Sequence, residues 1–407
     1  MTKRRASTWG EEISLEYGKA LRGYGEAKGP VPVYGTNGPV GWTDAPLAPG
    51  PGVILGRKGA YRGVHFSSDP FFVIDTAYYA VPKTKLDMRW LYYAMIHHKL
   101  GEIDDGSPIP STTRSAVYPR ELEVPEIDEQ RAMAAVLGSL DDKIELNRKM
   151  NETLEAMARA IFKSWFVDFD PVRAKMEGRK PYLPQEIWSL FPDHLGEDGS
   201  PSGWSEKPLT HFFEIVGGGT PKTSEASYWG GDVPWFSVVD TPSGADTYVI
   251  DTEKTITAEG LQNSSAQLIE AGATIVSARG TVGNLARTGR PMAFNQSCYG
   301  LRGANGYGPS FVFLTARHMV SKLQSLAHGS VFSTITRQTF EAISLFAPSN
   351  ELADRFEMAS GPLFDGILAN VQESRTLSAI RDLLLPKLMS GEVRIKDAEK
   401  LVGEAGV

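Results

Sequence analysis

Two short loops in this chain set a cation beside a glycine. One reads Gly56-Arg57-Lys58-Gly59, with Tyr61 and Arg62 just beyond it. The other reads Ala278-Arg279-Gly280. Two further segments join a hydroxyl to an arginine, Thr113-Arg114 and Thr336-Arg337. Arginine and lysine can meet guanine in the DNA major groove, while hydroxyls and lysines hold phosphates and fix register. The residue types therefore point to DNA contact. The candidate DNA-binding residues are Arg57, Lys58, Tyr61, Arg62, Thr113, Arg114, Arg279, Thr336 and Arg337. The alternative for each arginine is a turn residue tied to backbone carbonyls or to a local carboxylate.

The chemistry that is missing is equally informative. No glycine-rich loop ends in Lys-Ser/Thr, so nucleotide hydrolysis of that kind is excluded. No glycine-rich strand-to-helix turn suggests a dinucleotide or methyl-donor site. Ser68-Asp69-Pro70-Phe71-Phe72 lacks the second proline of an amino-methyltransferase motif. Glu126, Asp141 and Asp142 with Lys143 supply nuclease-like carboxylates, but on a long helix and at its start rather than on paired strands. Solvated helix charges explain them better. The single cysteine, Cys298, and the seven histidines show no metal-ligand spacing. No catalytic residue, metal or cofactor is expected in this chain.

The elements that must carry the loops emerge from an internal repeat. A shift of 223 residues places Leu91, Lys99, Leu100, Gly106, Ser107, Thr113 and Arg114 on Leu314, Lys322, Leu323, Gly329, Ser330, Thr336 and Arg337. The same frame carries Pro125, Gly138, Leu140, Asp142, Ile144, Asn147 and Leu154 onto Pro348, Gly361, Leu363, Asp365, Ile367, Asn370 and Leu377. A shift of 221 matches Ile54, Gly59 and Tyr78 to Ile275, Gly280 and Tyr299. Lys58 and Arg279 then hold equivalent places, as do Arg114 and Arg337. The reading is a tandem duplication. Residues 1–125 form a mixed globule, 126–168 a long helix and 169–205 a spacer rich in Pro, Gly and acidic residues. Residues 206–347 form a second globule, 348–391 a second long helix and 392–407 a tail.

Each long segment shows apolar residues at alternating three- and four-residue spacing, the mark of a coiled-coil seam. In the first, Asp128 is the expected N-cap, and Leu140, Ile144, Leu154, Ala158, Ile161 and Trp165 form the stripe with Asn147 and Asn151. In the second, Leu363, Ile367, Leu377, Leu384 and Leu388 do so, with Asn370 where the first has Asn147. Asn147 and Asn370 are expected to fix register. Pro362 and Pro386 are expected to kink the second helix or trim its last turn. At 1.5 Å per residue a helix of ~38 residues is ~57 Å long and must lie against a partner. The other helix is that partner, and chain connectivity makes the pair antiparallel. A pseudo-two-fold axis then relates the globules. The fold class is α+β.

The chain of 407 residues is 41% hydrophobic and 22% charged, which excludes disorder. Its net charge is −7, but the acidic surplus lies only in 126–205 and 348–407. No apolar run approaches the ~18–20 residues that span a bilayer. No apolar stretch follows the basic Met1-Thr2-Lys3-Arg4-Arg5, so no secretory signal is read and a cytoplasmic site is expected.

Three segments resemble the specificity subunit of bacterial type I restriction–modification systems. They are Asp128-Glu129-Gln130-Arg131, Ala160 to Val172 (AIFKSWFVDFDPV) and Leu384 to Glu392 (LLPKLMSGE). The likeness covers nearly the whole chain. It implies two target-recognition domains alternating with two helices that dock the methyltransferase subunits. The implied partners are double-stranded DNA, two methyltransferase subunits and motor–nuclease subunits. S-adenosylmethionine, ATP and magnesium would act on those partners, not on this chain. The second copy departs at Asn350-Glu351-Leu352-Ala353, so the two docking surfaces are not expected to be equivalent.

Overall fold

A computed structural model describes residues 4–104, 106, 109–242, 246–328 and 334–406, the side chains of 327 and 328 excepted. The repeat matches at Ser107, Gly329 and Ser330 and the basic Lys3 lie outside the described residues. The chain divides into two compact units, one of residues 1–144 with 375–407 and the other of residues 145–374.

Unit 1 begins with β1 (Arg5–Thr8), α1 (Trp9–Glu12) and β2 (Ile13–Tyr17). There follow β3 (Val31–Gly35), β4 (Gly38–Thr43), β5 (Gly52–Gly56), β6 (Val64–Ser67), β7 (Phe72–Val73) and β8 (Ala77–Pro82). α2 (Met88–His97), α3 (Arg114–Val117), β9 (Glu121–Val124) and the long α4 (Ile127–Phe166) come next. β2, β8, β5 and β6 form one sheet in that order, β4, β3 and β7 a second, and β1 pairs with β9. Strand β5 reads Gly-Val-Ile-Leu-Gly and is buried throughout, as a short apolar run between two neighbours must be. α2 starts where the Asp87 carboxylate accepts from the amides of Arg89 and Trp90.

After α5 (Asp170–Met176) and α6 (Gln185–Trp188), unit 2 repeats the plan. β10 (Ser205–Pro208), α7 (Leu209–Phe212), β11 (Phe213–Gly217), β12 (Trp229–Phe236), β13 (Tyr248–Val249), β14 (Thr255–Ile256) and α8 (Ala258–Gln262) precede β15 (Thr274–Ser277). β16 (Leu285–Thr288), β17 (Ala293–Phe294), β18 (Cys298–Gly303), α9 (Pro309–His328), α10 (Arg337–Glu341) and β19 (Ser344–Ala347) complete it. The main sheet runs β11-β18-β15-β16-β13, the second sheet β14-β12-β17, and β10 pairs with β19. Each element of unit 1 finds its counterpart. β14 takes the place of β4 at the edge of the second sheet, and β13 and α8 are additions. The repeat extends to close approaches: a Cβ on Gly18 would lie 2.0 Å from the Ile74 carbonyl oxygen, and one on Gly218 would lie 2.0 Å from that of Asn295.

The chain ends with α11 (Asn350–Ser390) and α12 (Ile395–Glu404). α11 continues through Pro362 and Pro386 to Ser390, so neither proline trims its last turn. Both prolines are exposed, so water can meet the carbonyls they leave unpaired. α12 gives the tail a role, burying Ala398 and Val402 in the core of unit 1 beside Leu377, Leu384 and Leu388. Residues 169–205 are likewise more than a connecting loop. Phe169, Val172 and Phe191 belong to the core of unit 2 with Phe212, Phe311 and Phe356.

In both units α4 and α11 pack in opposite directions. In unit 2 the Asn147 Nδ2 donates to Glu373 at 2.6 Å and Ser374 at 3.2 Å, and the Asn370 Nδ2 donates to Asn151 at 2.9 Å. In unit 1 the Arg381 guanidinium donates to Asp141 at 2.7 Å. Asn147 has no exposed surface, so these bonds depend on one pairing register.

Candidate nucleic-acid interface

The two cation–glycine loops hang from the same backbone ladder. In unit 1 the Arg57 amide donates to the Thr76 carbonyl at 3.0 Å, and the Arg57 carbonyl accepts from Thr112 at 2.9 Å. In unit 2 the Ala278 amide donates to Ser297 at 2.7 Å, and the Ala278 carbonyl accepts from Ile335 at 3.0 Å. The next residue, Lys58 or Arg279, is exposed in each case. The glycine after it has positive φ in both, 114° at Gly59 and 75° at Gly280. That left-handed turn favours glycine. Among the described residues neither the Lys58 ammonium nor the Arg279 guanidinium has a hydrogen-bond or ion-pair partner. Tyr61 is 80% exposed on the same unit 1 loop.

The other candidates serve the fold. The Arg114 Nε donates to the Leu15 carbonyl at 2.6 Å, and an Arg337 guanidinium nitrogen donates to the Ile215 carbonyl at 2.8 Å. Leu15 and Ile215 sit at the same place in β2 and β11, so the repeat has duplicated a clamp. Arg62 ties its loop inward, donating to the Ile103 carbonyl at 3.0 Å and to the Thr112 hydroxyl at 3.1 Å. Thr113 and Thr336 cap α3 and α10, each hydroxyl accepting a backbone amide at 3.3 Å. Arg57 donates to the Asp75 carbonyl at 3.0 Å and lies 4.9 Å from the centre of the Tyr17 ring. Arg114 covers the same ring at 4.4 Å. Tyr78 lies beneath both; burial, and after it the hydrogen bond with Tyr17, push its phenol up to about 12, so it stays neutral.

The structure thus narrows the nine candidates. Lys58, Tyr61 and Arg279 present free side chains. Arg57 presents a partly exposed guanidinium on an aromatic support. Arg62, Arg114 and Arg337 are tied to backbone carbonyls, the alternative open to the arginines in the sequence, and Thr113 and Thr336 are occupied as helix caps. Burial lowers the pKa of His65, on β6 beside the loop.

Sequence reasoning missed the loops after β2 and β11. The Lys19 amide donates to the Val73 carbonyl at 2.9 Å, which sets Lys19 beside the turn that holds Arg57. Lys19, Arg22 and Lys28 in unit 1 and Lys222 in unit 2 are exposed. Their signal was cations among glycines immediately after a duplicated strand, Gly18-Lys19 and Gly217-Gly218-Gly219-Thr220-Pro221-Lys222.

Two of the nuclease-like carboxylates, Asp141 and Asp142, tie the fold together. Asp142 holds the Arg89 guanidinium through two bonds of 2.6 and 2.9 Å, and Asp141 accepts from Tyr93 at 2.5 Å as well as from Arg381. Among the described residues no group of three or more His, Cys, Asp or Glu is placed to hold a metal ion. No helix among them is long and apolar enough to cross a membrane.

Known proteins resemble this chain in sequence and in fold. The chain is 31% identical over 329 residues to the type I restriction enzyme HindI specificity subunit of Haemophilus influenzae, covering 70% of this chain and 71% of the relative. It is 26% identical over 336 residues to the MjaIX specificity subunit of Methanocaldococcus jannaschii, 78% of this chain and 72% of the relative. The crystal structure of the type I restriction–modification S subunit from M. genitalium matches the fold, with a TM-score of 0.57, 17% identity and coverage of 95% of this chain and 96% of that one. The model of the type I restriction modification DNA specificity domain matches twice, at residues 19–156 and 201–352. These matches fall on the two copies of the repeat, and the chain belongs to the type I restriction–modification specificity family.

Proposed function

We propose that the chain is the sequence-reading subunit of a type I restriction–modification complex in the cytoplasm. Each mixed domain reads one half of a bipartite DNA site, and the two halves differ in sequence. The observation that carries this reading is a duplicated skeleton with unlike rims. The ladder that presents Lys58 also presents Arg279, while Tyr61 and Arg62 have Val282 and Gly283 as counterparts. Lysine and arginine can both bond guanine, but only Arg279 can do so with a two-pronged planar group.

The chain performs no catalysis of its own. Two methyltransferase subunits dock on it and supply S-adenosylmethionine chemistry, and motor–nuclease subunits supply the ATP- and magnesium-dependent step. α4 and α11 form the scaffold for those partners. Selection of duplexes from a randomised library by the purified chain with its methyltransferase subunit tests the reading. Two unlike half-sites separated by several unread base pairs are expected. A single contiguous target, or retention without sequence preference, would overturn it. A second arm assays the chain alone for methyl transfer, cleavage and ATP hydrolysis, and all three should be silent.

A further inference from the structure

A second turn adjoins the cation–glycine loop in each unit. In unit 1 it is Thr36-Asn37, which joins β3 to β4 where Gly35 pairs with Gly38. The Thr36 hydroxyl donates to the Lys58 carbonyl at 2.9 Å, and the Thr36 carbonyl accepts from the Gly63 amide at 3.0 Å. These bonds fasten the turn to both sides of the loop that carries Lys58 and Tyr61. Asn37 stands exposed at the tip. It shares an open depression of about 400 Å³ with Tyr61, Arg62 and Glu102. Glu102 is matched by Lys99 at 3.5 Å, which moderates its repulsion of phosphate.

The turn does not require asparagine. Its left-handed residue is Gly38, with a φ of 108°, and not Asn37. Among the described residues the Asn37 side chain has no hydrogen-bond partner, so it does not brace the turn as asparagines often do. The fold explains neither the amide nor its exposure.

Unit 2 has the same position with a different side chain. β3 pairs with β7 through Val33 and Phe72, as β12 pairs with β17 through Trp235 and Ala293. The Tyr34 carbonyl accepts from the Ile74 amide and the Phe236 carbonyl from the Asn295 amide, both at 2.9 Å. Three residues past Tyr34 is Asn37, and three past Phe236 is Val239. The Asp240 carboxylate braces this turn, accepting from the Ser237 amide at 2.8 Å and hydroxyl at 3.0 Å. Val238 packs on the core, while Val239 is 73% exposed. The segment 295–297 that holds this turn also holds the Arg279 loop, through the bond from Ala278 to Ser297.

We propose that Asn37 and Val239 are a second base-reading residue in their respective domains. Asn37 takes an adenine, its Nδ2 donating to N7 and its Oδ1 accepting from the N6 amino group. Val239 packs on the C5 methyl of a thymine. Both assignments rest on the reading that each domain recognises one half-site. A turn that only held phosphate would carry a cation or a hydroxyl at its tip, and neither copy does.

The test uses the full chain with the methyltransferase subunit of its own system, and the duplex that this complex selects from a randomised library. In that duplex 7-deazaadenine replaces each adenine in turn, removing only N7. One replacement should weaken the parent about tenfold, and should cost nothing further in Asn37→Ala, which is already weaker by that factor. Deoxyuridine then replaces each thymine, removing only the methyl. One replacement should cost the parent about fourfold and Val239→Ser nothing further. The two sensitive positions should lie in different half-sites. Both side chains are exposed, so urea midpoints should match the parent's. A lowered midpoint would assign the residues to the fold and overturn the proposal. Variants that bind like the parent, variants that weaken on all sequences alike, or two sensitive positions in one half-site would overturn it too. A parent complex that selects no pair of half-sites would sink the half-site reading itself, and this proposal with it.

Discussion

The loop after β5 and the loop after β15 share a backbone and differ in what they present, whereas the segments that open α3 and α10 are the same in side chain and in bond. Lys58 and Arg279 are unlike residues with nothing to hold in the fold. Arg114 and Arg337 are identical, and each closes on the carbonyl of an equivalent strand residue, Leu15 or Ile215. A duplicated residue marks what both copies need in order to fold. A residue that changes between the copies at a fixed backbone position is where two different DNA sequences can be read.

That contrast can be broken most directly at the rim. Lys58→Ala or Arg279→Ala should cost about 1–3 kcal/mol of specific affinity, and each should relax base preference in one half-site only. Electrophoretic titration against a panel of single-base variants reads this out. A uniform loss across all sequences with a flatter salt dependence would make them phosphate contacts instead. Next come the clamps. Arg114→Ala and Arg337→Ala should each lower stability in urea by about 1–2 kcal/mol, the partial exposure of both bonds moderating the effect. Base preference should stay unchanged in the folded fraction. An unmoved urea midpoint with a relaxed half-site would return these arginines to the DNA interface.

The caps sharpen the comparison further. Thr113→Ala and Thr336→Ala should each cost about 1 kcal/mol, the two alike because both hydroxyls serve the third residue of a short helix. Differential scanning of each variant should show similar shifts. The smallest effect belongs to a place where the copies differ in their interior. Glu12 is fully buried where unit 2 has Phe212. Burial by itself would raise the Glu12 carboxyl, but hydrogen bonds from Arg5, Ser7 and Thr84 together outweigh it and set its pKa below the ordinary range. A lowered folded-state pKa gives stability that is complete above the ordinary carboxylate range and lost as pH falls through the folded value. Glu12→Gln should therefore cost under about 1 kcal/mol at pH 7. The gap from the parent should close as the solution is acidified below about pH 4. A gap that persists in acid would assign the loss to packing rather than to charge.

Much of this was legible in the sequence because the repeat is nearly free of gaps from β5 and β15 onward. The 223-residue frame places Arg114 on Arg337 and Asn147 on Asn370, and the 221-residue frame aligns Tyr78 with Tyr299, the register in which β8 and β18 pair with β5 and β15. The role of the shared arginines was not legible. An arginine that reads a base and one that holds a carbonyl have the same side chain. Only the position of Leu15 and Ile215 in three dimensions separates them. Pro386 misled for a related reason: proline removes one backbone donor, and whether that ends a helix depends on what meets the freed carbonyl. The tail escaped notice because α12 buries little beyond Ala398 and Val402, too short a pattern to stand out.

The ribbons that open and close each mixed domain have one more consequence. Arg5 is paired with Val124, and Ser205 with Ala347, so each domain leaves the chain beside the strand on which it joined. Everything between can be replaced as a block, provided the incoming piece ends in a ribbon of the same register. Such an exchange alters one half of the target at a stroke and leaves α4 and α11 as they were. A new specificity is then reached by recombination at two adjacent points, without passing through partly functional loops one substitution at a time.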